Sequence, residues 1–265
     1  MERRLDALVV RDFVDAVRRV LLVASMIVPV AGGASACSFV MSIDDLGRSA
    51  EGAREPSDGG LGAVVFQEDF EGFPLAVDWE ESSNQGPNWY CSYRDDGSTG
   101  VEADGAGNKV LTESPEPPTA GQSQSALVRT TRSFGDLDVT LRVKTVAQLR
   151  SRAPDPTEVA QVLWHLDAEE DRCLYLLLGP AGWEIGRKGL VSDTQVVLMS
   201  GTDPFPVGRW SHPRIRQVGT KVTVWLDEGA EPRTVEDTTP AAGTIGLYVD
   251  DAHARFDDVV VRDAK

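Results

Sequence analysis

Asp138-Val139-Thr140-Leu141-Arg142-Val143-Lys144 alternates apolar and polar side chains without a break, the period of two that marks a half-buried strand. Val139, Leu141 and Val143 then face a core, and Thr140, Arg142 and Lys144 face away. The same grammar continues downstream. Val159 to Leu166 reads as a strand with Ala160, Val162, Trp164 and Leu166 on one face. Asp167 to Asp171 is a polar turn, Cys173 to Leu178 a strand, Gly179-Pro180-Ala181-Gly182 a turn, and Trp183 to Lys188 a strand. Val196 to Met199, Pro213 to Val218, Lys221 to Asp227, Gly243 to Val249 and Arg255 to Arg262 follow, separated by Gly219-Thr220, Glu228-Gly229 and Asp250-Asp251. Short strands at regular spacing, with no long helical pattern, predict an all-β sandwich or barrel. No repeat period appears, which argues against a propeller or a solenoid.

The N-terminal side reads differently. Arg18-Arg19 precedes an apolar run from Val20 to Val30, interrupted only by Ser25 and Pro29, and small residues follow from Ala31 to Ala36. A transmembrane helix needs about 20 apolar residues; a basic flank, a short apolar run and a small-residue exit make a secretory signal. Residues 1–36 are therefore expected to be a signal peptide. Two exits are readable: Ala34-Ser35-Ala36 fits an A-x-A cleavage site, and Ala34-Ser35-Ala36-Cys37 resembles a bacterial lipobox, with Ala34 where Leu is usual. Lipidation of Cys37 leaves Cys91 and Cys173 as an even pair, and in an exported chain an odd count would strand one thiol. Export also permits a Cys91–Cys173 disulfide. Residues 37–63, rich in Ser, Gly, Asp and Glu, have the composition of a flexible tether. Residues 64–265 are left as one domain. The expected location is the bacterial cell envelope through a lipid anchor, or else the periplasm or medium.

Lys and Arg number 26 against 42 Asp and Glu, a formal net charge of -16 in 265 residues. That sign argues against a nucleic-acid partner and against general attraction to anionic lipid. The hydrophobic fraction of 41% rules out a multi-span membrane protein and is enough for a packed core.

Several pieces taken in order resemble the concanavalin A-like lectin/glucanase superfamily, which includes laminin-G-like domains. They are Phe66-Gln67-Glu68-Asp69-Phe70-Glu71-Gly72, Val162-Leu163-Trp164-His165-Leu166, Leu174 to Leu178, Gly182 to Lys188, Trp210 to Arg216, Val222 to Asp227, Gly243 to Tyr248 and Phe256-Asp257-Asp258-Val259. The resemblance spans nearly all of 64–265. It implies a jelly-roll of two antiparallel sheets, one of them concave. Members include lectins, carbohydrate-binding modules, glycoside hydrolases and adhesion domains, and some related domains hydrolyse 3-keto-glycosides, so fold does not fix function. The superfamily often binds a structural calcium ion where the first and last strands meet; by resemblance its ligands here are Asp69, the main chain of Gly72, and Asp257.

A retaining glycosidase needs two carboxylates about 5–5.5 Å apart, carried in hydrolases of this fold on alternate residues of one strand. No E-x-D-x-E triplet is present: Glu68, Asp69 and Glu71 fall at a strand end, Glu169-Glu170-Asp171 in a turn, and Glu184 stands alone. No H-E-x-x-H, C-x-x-C, G-x-S-x-G or phosphate loop occurs. The missing motif favours non-catalytic carbohydrate binding. The alternatives are a glycoside hydrolase or related enzyme with an atypical site, and an adhesion domain with a protein partner. Sugars are bound by flat aromatic faces and planar hydrogen-bonding groups in concave sites. The outward-facing candidates are Arg142, His165, Lys188, Arg214, Arg216 and Trp225; if they share the concave sheet they form a locally basic groove suited to an anionic or highly hydroxylated glycan. For each residue the plainer alternative is a solvated face with cross-strand ion pairs. Trp164 reads as core; Trp79, Trp89 and Tyr90 read either as rim contacts or as a plug at the end of the sandwich.

Overall fold

The computed structural model describes residues 61–264 apart from 106, 120–121, 151–154, 193 and 239–241. The expected signal peptide, Cys37 and most of the tether lie outside the described residues. Sixteen strands are present and no helix among the described residues. They are β1 (Val64–Glu68), β2 (Ser83–Gln85), β3 (Trp89–Tyr93), β4 (Ser98–Ala103), β5 (Lys109–Ser114), β6 (Ser125–Thr130), β7 (Leu137–Gln148) and β8 (Ala160–Asp167). There follow β9 (Arg172–Gly179), β10 (Gly182–Lys188), β11 (Gln195–Gly201), β12 (Arg214–Val218), β13 (Lys221–Trp225), β14 (Arg233–Glu236), β15 (Thr244–Asp250) and β16 (Ala252–Asp263).

They form two antiparallel sheets. Sheet A runs β14-β13-β12-β7-β16-β5-β4, with β1 paired to β16; sheet B runs β11-β10-β9-β8-β15-β6-β3-β2. The long strands β7 and β16 pair from Ala252 opposite Gln148 to Asp263 opposite Leu137, with two register shifts. One shift lies between Asp257 and Val260, where Asp258 takes a left-handed backbone with φ 50°. This is a bulge, and it re-aims the side chains around it.

Alternation sorts the side chains as the sequence predicts except at Leu166: a register shift after Trp164 and the left-handed backbone of His165 turn it from the face of Ala160, Val162 and Trp164 to the outer side of sheet B with Leu163 and Tyr175. Val139, Leu141 and Val143 from β7, Ile215 from β12, Val222 and Val224 from β13, and Phe256, Val259 and Val261 from β16 pack between the sheets. They meet Val162 and Trp164 from β8, Leu174, Leu176 and Leu178 from β9, and Ile245, Leu247 and Val249 from β15. Trp164 crosses the gap: its Nε1 donates to Oε1 of Gln217 on β12 at 2.8 Å, and both side chains are fully buried. Trp79 and Trp89 plug one end of the sandwich with Phe66, Phe70, Phe73 and Phe134, ring centroids 5.3 to 6.2 Å apart. Tyr90 points the other way, beneath the guanidinium of Arg129.

The structure does not form the expected disulfide. Cys91 and Cys173 are both free thiols and both buried. Cys91 packs between the sheets, whereas Cys173 packs on the outer side of sheet B with Tyr175 and Leu177. Their strands, β3 and β9, are separated by β6, β15 and β8, a gap of about 19 Å at the usual strand spacing. A disulfide needs Cα atoms within about 7 Å. Burial pushes the Cys91 thiol up to about 12 and the Cys173 thiol up to about 11, which favours the protonated form of both.

Candidate functional site

The register of sheet A sets four outward residues side by side. Trp225 on β13 lies opposite Arg214 on β12, Arg214 opposite Thr140 on β7, and Thr140 opposite Val260 on β16. This row floors a groove of about 760 Å³, within the range of small-ligand sites. Arg142 and Asp258 line one side, and His212, Asp227, Glu228 and Gly229 line another.

Arg142, Arg214, Asp227 and Asp258 in the groove are each held by a partner. Arg214 grips the buried carboxylate of Asp138 with two parallel bonds, Nε to Oδ1 at 2.8 Å and Nη2 to Oδ2 at 2.7 Å. Its guanidinium stacks 4.5 Å over the Trp225 ring. Arg142 reaches Asp257 at 3.2 Å and Asp258 at 3.3 Å and lies 4.5 Å over Trp210, a ring that Lys144 approaches to the same distance. Burial, followed by the charge of Arg255, lowers the Lys144 ammonium below its ordinary range. Burial raises the Asp257 carboxyl. Asp227 is the hub of the far wall. Its Oδ1 accepts from the main-chain N–H of His212 at 2.9 Å and of Glu228 at 3.0 Å, and its Oδ2 accepts from Arg209 at 2.8 Å. The His212 Nδ1 stands 3.5 Å from the same carboxylate.

Three of the six residues singled out from the sequence, Arg142, Arg214 and Trp225, therefore line one groove. Arg216, opposite Thr223 and Asp138, continues the same face beyond it. The expectation of a basic groove is corrected: two arginines face Asp227, Glu228 and Asp258 in the lining, with Asp138 and Asp257 beneath. A fixed mosaic of donors and acceptors around an indole suits a neutral polyhydroxylated ligand better than an anion.

His165 and Lys188 do not belong to this face. Both lie on sheet B, with the core between them and the groove. Lys188 donates to Gln161 Oε1 at 2.6 Å and lies 4.0 Å over Tyr248 and 5.6 Å over Tyr175. Tyr175 donates its phenol proton to Glu184 at 3.1 Å and accepts from Gln195 at 2.7 Å. Burial and then Glu184 push that phenol well up. His165 is buried in a left-handed backbone, φ 48°. Its Nε2 lies 2.9 Å from the Gly135 carbonyl oxygen, which places the proton on Nε2, and burial lowers its pKa. Alternation told which side of its strand each residue takes, but not which sheet the strand joins.

The carboxylates expected to ligate calcium are engaged by other partners. Asp69 Oδ1 caps the Glu71 N–H at 3.1 Å. Asp257 accepts from Asn108 Nδ2 at 2.7 Å, from Arg142, and from the Asp258 N–H at 2.8 Å. Among the described residues, no three of His, Cys, Asp and Glu are grouped so as to hold a metal. Asp257, already bonded to a guanidinium, is a poor site for a dication that wants 6–8 oxygen ligands.

The model of one family matches residues 39–262. The chain belongs to the 3-keto-alpha-glucoside-1,2-lyase-like domain family. The match begins within the expected tether and runs into β16. No curated protein sequence matches the chain. Among solved structures, the carbohydrate-binding module CBM66 from Bacillus subtilis is similar over 69% of this chain and 99% of its own, with 13% identity and a TM-score of 0.51. A β-1,3-1,4-glucanase (lichenase) derived from a mouse hindgut metagenome is similar over 75% of this chain and 99% of its own, with 14% identity and a TM-score of 0.52. At these identities the likeness is one of fold: the jelly-roll with two antiparallel sheets.

Proposed function

We propose that the protein is the carbohydrate-binding domain of an exported bacterial lipoprotein, tethered to the cell envelope through Cys37, and that it holds a neutral oligosaccharide in the sheet A groove without turning it over. The observation that carries this reading is the row Trp225, Arg214, Thr140 and Val260 flooring a groove in which Arg142, Arg214, Asp227 and Asp258 are already paired and oriented. A preorganised lattice of donors and acceptors beside an apolar ring matches the two faces of a pyranose, hydroxyls at the edge and C–H groups on the flat side. The salt bridges also keep the cations from drawing in simple anions.

A glycan array followed by calorimetric titration tests it. A neutral glycan should bind the full chain, and Trp225→Ala should weaken binding at least tenfold with the fold intact. Binding that survives Trp225→Ala unchanged overturns the assignment.

The family favours a second reading, an enzyme acting on glycans from an atypical site. The Tyr175 phenol and the Cys173 thiol, both pushed up by burial, lie on the outer face of sheet B beside Lys188 and Glu184, and groups of displaced protonation often gather where protons are moved. Turnover of a 3-keto-glycoside or a glucan, abolished by Tyr175→Phe and untouched by Trp225→Ala, would establish that reading in place of the first. Silence in both assays would leave an adhesion role with a protein partner.

A further inference from the structure

The resemblance in the sequence calls for a cation joining the loop after β1 to the last strand. In the structure those two parts are joined, but by nitrogen. The Lys109 ammonium donates to the carbonyl oxygens of Glu71 and Phe73, both at 2.8 Å, so the residues flanking Gly72 close around it. The Lys109 main-chain N–H donates to Glu71 Oε1 at 2.8 Å. One residue earlier, Asn108 donates from Nδ2 to Asp257 at 2.7 Å. Asn108 and Lys109, at the start of β5, thus engage Asp257 and the two residues flanking Gly72, the two parts such an ion would join.

We propose that this Asn108-Lys109 pair is a built-in replacement for the structural calcium ion, and that the domain binds none. An ammonium can donate to two carbonyl oxygens that a metal would otherwise use as ligands, with hydrogen bonds strengthened by its charge. It brings one positive charge where Ca²⁺ brings two, and Arg142 supplies a second beside Asp257. A calcium ion added at this place would sit against two fixed cations and compete with Asn108 and Arg142 for Asp257. Lys109 is tied to the loop by three bonds and the loop has few others: Phe73 N–H donates to the Phe70 carbonyl at 3.1 Å, and Asp69 and Glu68 cap the turn. Removing the ammonium therefore loosens the loop that carries Phe70 and Phe73 into the aromatic plug.

The test is thermal unfolding of the full chain in EDTA and in excess calcium, with equilibrium dialysis against radioactive calcium as an independent readout. The wild type should melt at the same temperature in both and retain no stoichiometric calcium. Lys109→Met should lower the midpoint by about 5 °C, from the loss of charged hydrogen bonds at the edge of a domain of this size. A wild-type midpoint that falls in EDTA, or one bound calcium per chain, overturns the proposal, as does a Lys109→Met chain that melts with the wild type. Should Lys109→Met fail to fold, the dialysis result on the wild type decides alone.

Discussion

Replacing Trp164 by Phe probes the contact that joins the two sheets most directly. The indole N–H reaches from β8 across the core to Gln217 on β12, 2.8 Å away, and neither residue meets solvent. Phe keeps most of the ring but removes the donor, leaving Gln217 Oε1 buried without that bond. An orphaned buried acceptor costs about 1–3 kcal/mol, and the lost indole volume adds about 1 kcal/mol of transfer and cavity energy. The expected destabilisation is about 3 kcal/mol, which for a domain of this size lowers the thermal midpoint by about 6–12 °C. Urea unfolding of the single variants and of the double variant Trp164→Phe/Gln217→Leu gives the coupling. Removing both polar partners spares the orphan, so the double variant should be more stable than Trp164→Phe alone, with an interaction of at least about 1 kcal/mol. A single variant that loses less than about 0.5 kcal/mol, or two variants that simply add, would refute the cross-sheet bond and the reasoning built on it.

The remaining expectations follow from particular residues. Glu113 is fully buried on β5, and burial raises its carboxyl well above 4.5; the native state then holds the proton more tightly than the unfolded chain, so its contribution is complete below about 4.5 and is lost as pH rises through the folded value. Glu113→Gln should flatten that decline in urea titrations at successive pH values. Burial lowers His165 and His253 below 6.5, so their contribution is present above 6.5 and is lost as pH falls through their folded values; His165→Gln should reduce the loss of stability on mild acidification. A Cβ at Gly243 would lie 2.4 Å from the His165 main-chain carbon, so Gly243→Ala should cost about 2–3 kcal/mol by forcing β8 and the strand edge apart, measurable as a lower urea midpoint. Both Cys91 and Cys173 should be alkylated in the unfolded chain without prior reduction, and a reductant should leave the melting temperature unchanged; a mass lower by two hydrogens in unreduced protein would contradict the free thiols.

β7, β12 and β13 were legible because each has one apolar and one polar face, and alternation reads that directly; β8, β9 and β15 are buried on both faces, so alternation says less of them. Val139, Leu141 and Val143 went inward, and Trp225 outward, as their neighbours required. The first third was less legible. β2 to β6 are short or interrupted by Gly, Pro and Asn, and β5 carries Thr112 and the buried Glu113 where a core strand would show an unbroken apolar stripe. Trp79 and Trp89 were ambiguous between rim and plug because aromatic residues serve both, and only the stacking on Phe70 and Phe73 separates them. The division of the six candidate binding residues between the two outer faces lay beyond sequence pattern. Strands β8 and β10 differ from β7 and β12 in partners, not in period, and partners are set by long-range pairing. His212 and Asp258 were missed as groove residues for the same reason: one follows an isolated bridge and the other sits in a bulge, neither of which leaves a periodic trace. The Lys109 contacts have no sequence signal at all, since they depend on a loop 36 to 38 residues away.

The central claim is that a neutral glycan is held on the outer face of sheet A. The most direct measurement is a titration of the full chain with the glycan selected on an array, followed by amide and indole shifts in the magnetic resonance spectrum. The account predicts that the Trp225 indole and the main-chain amides around Thr140, Arg214 and Asp227 move together with a single dissociation constant, while those of Tyr175 and Tyr248 stay in place. Shifts confined to Tyr175, Tyr248 and Lys188 would contradict it and place the ligand on the opposite face of the sandwich.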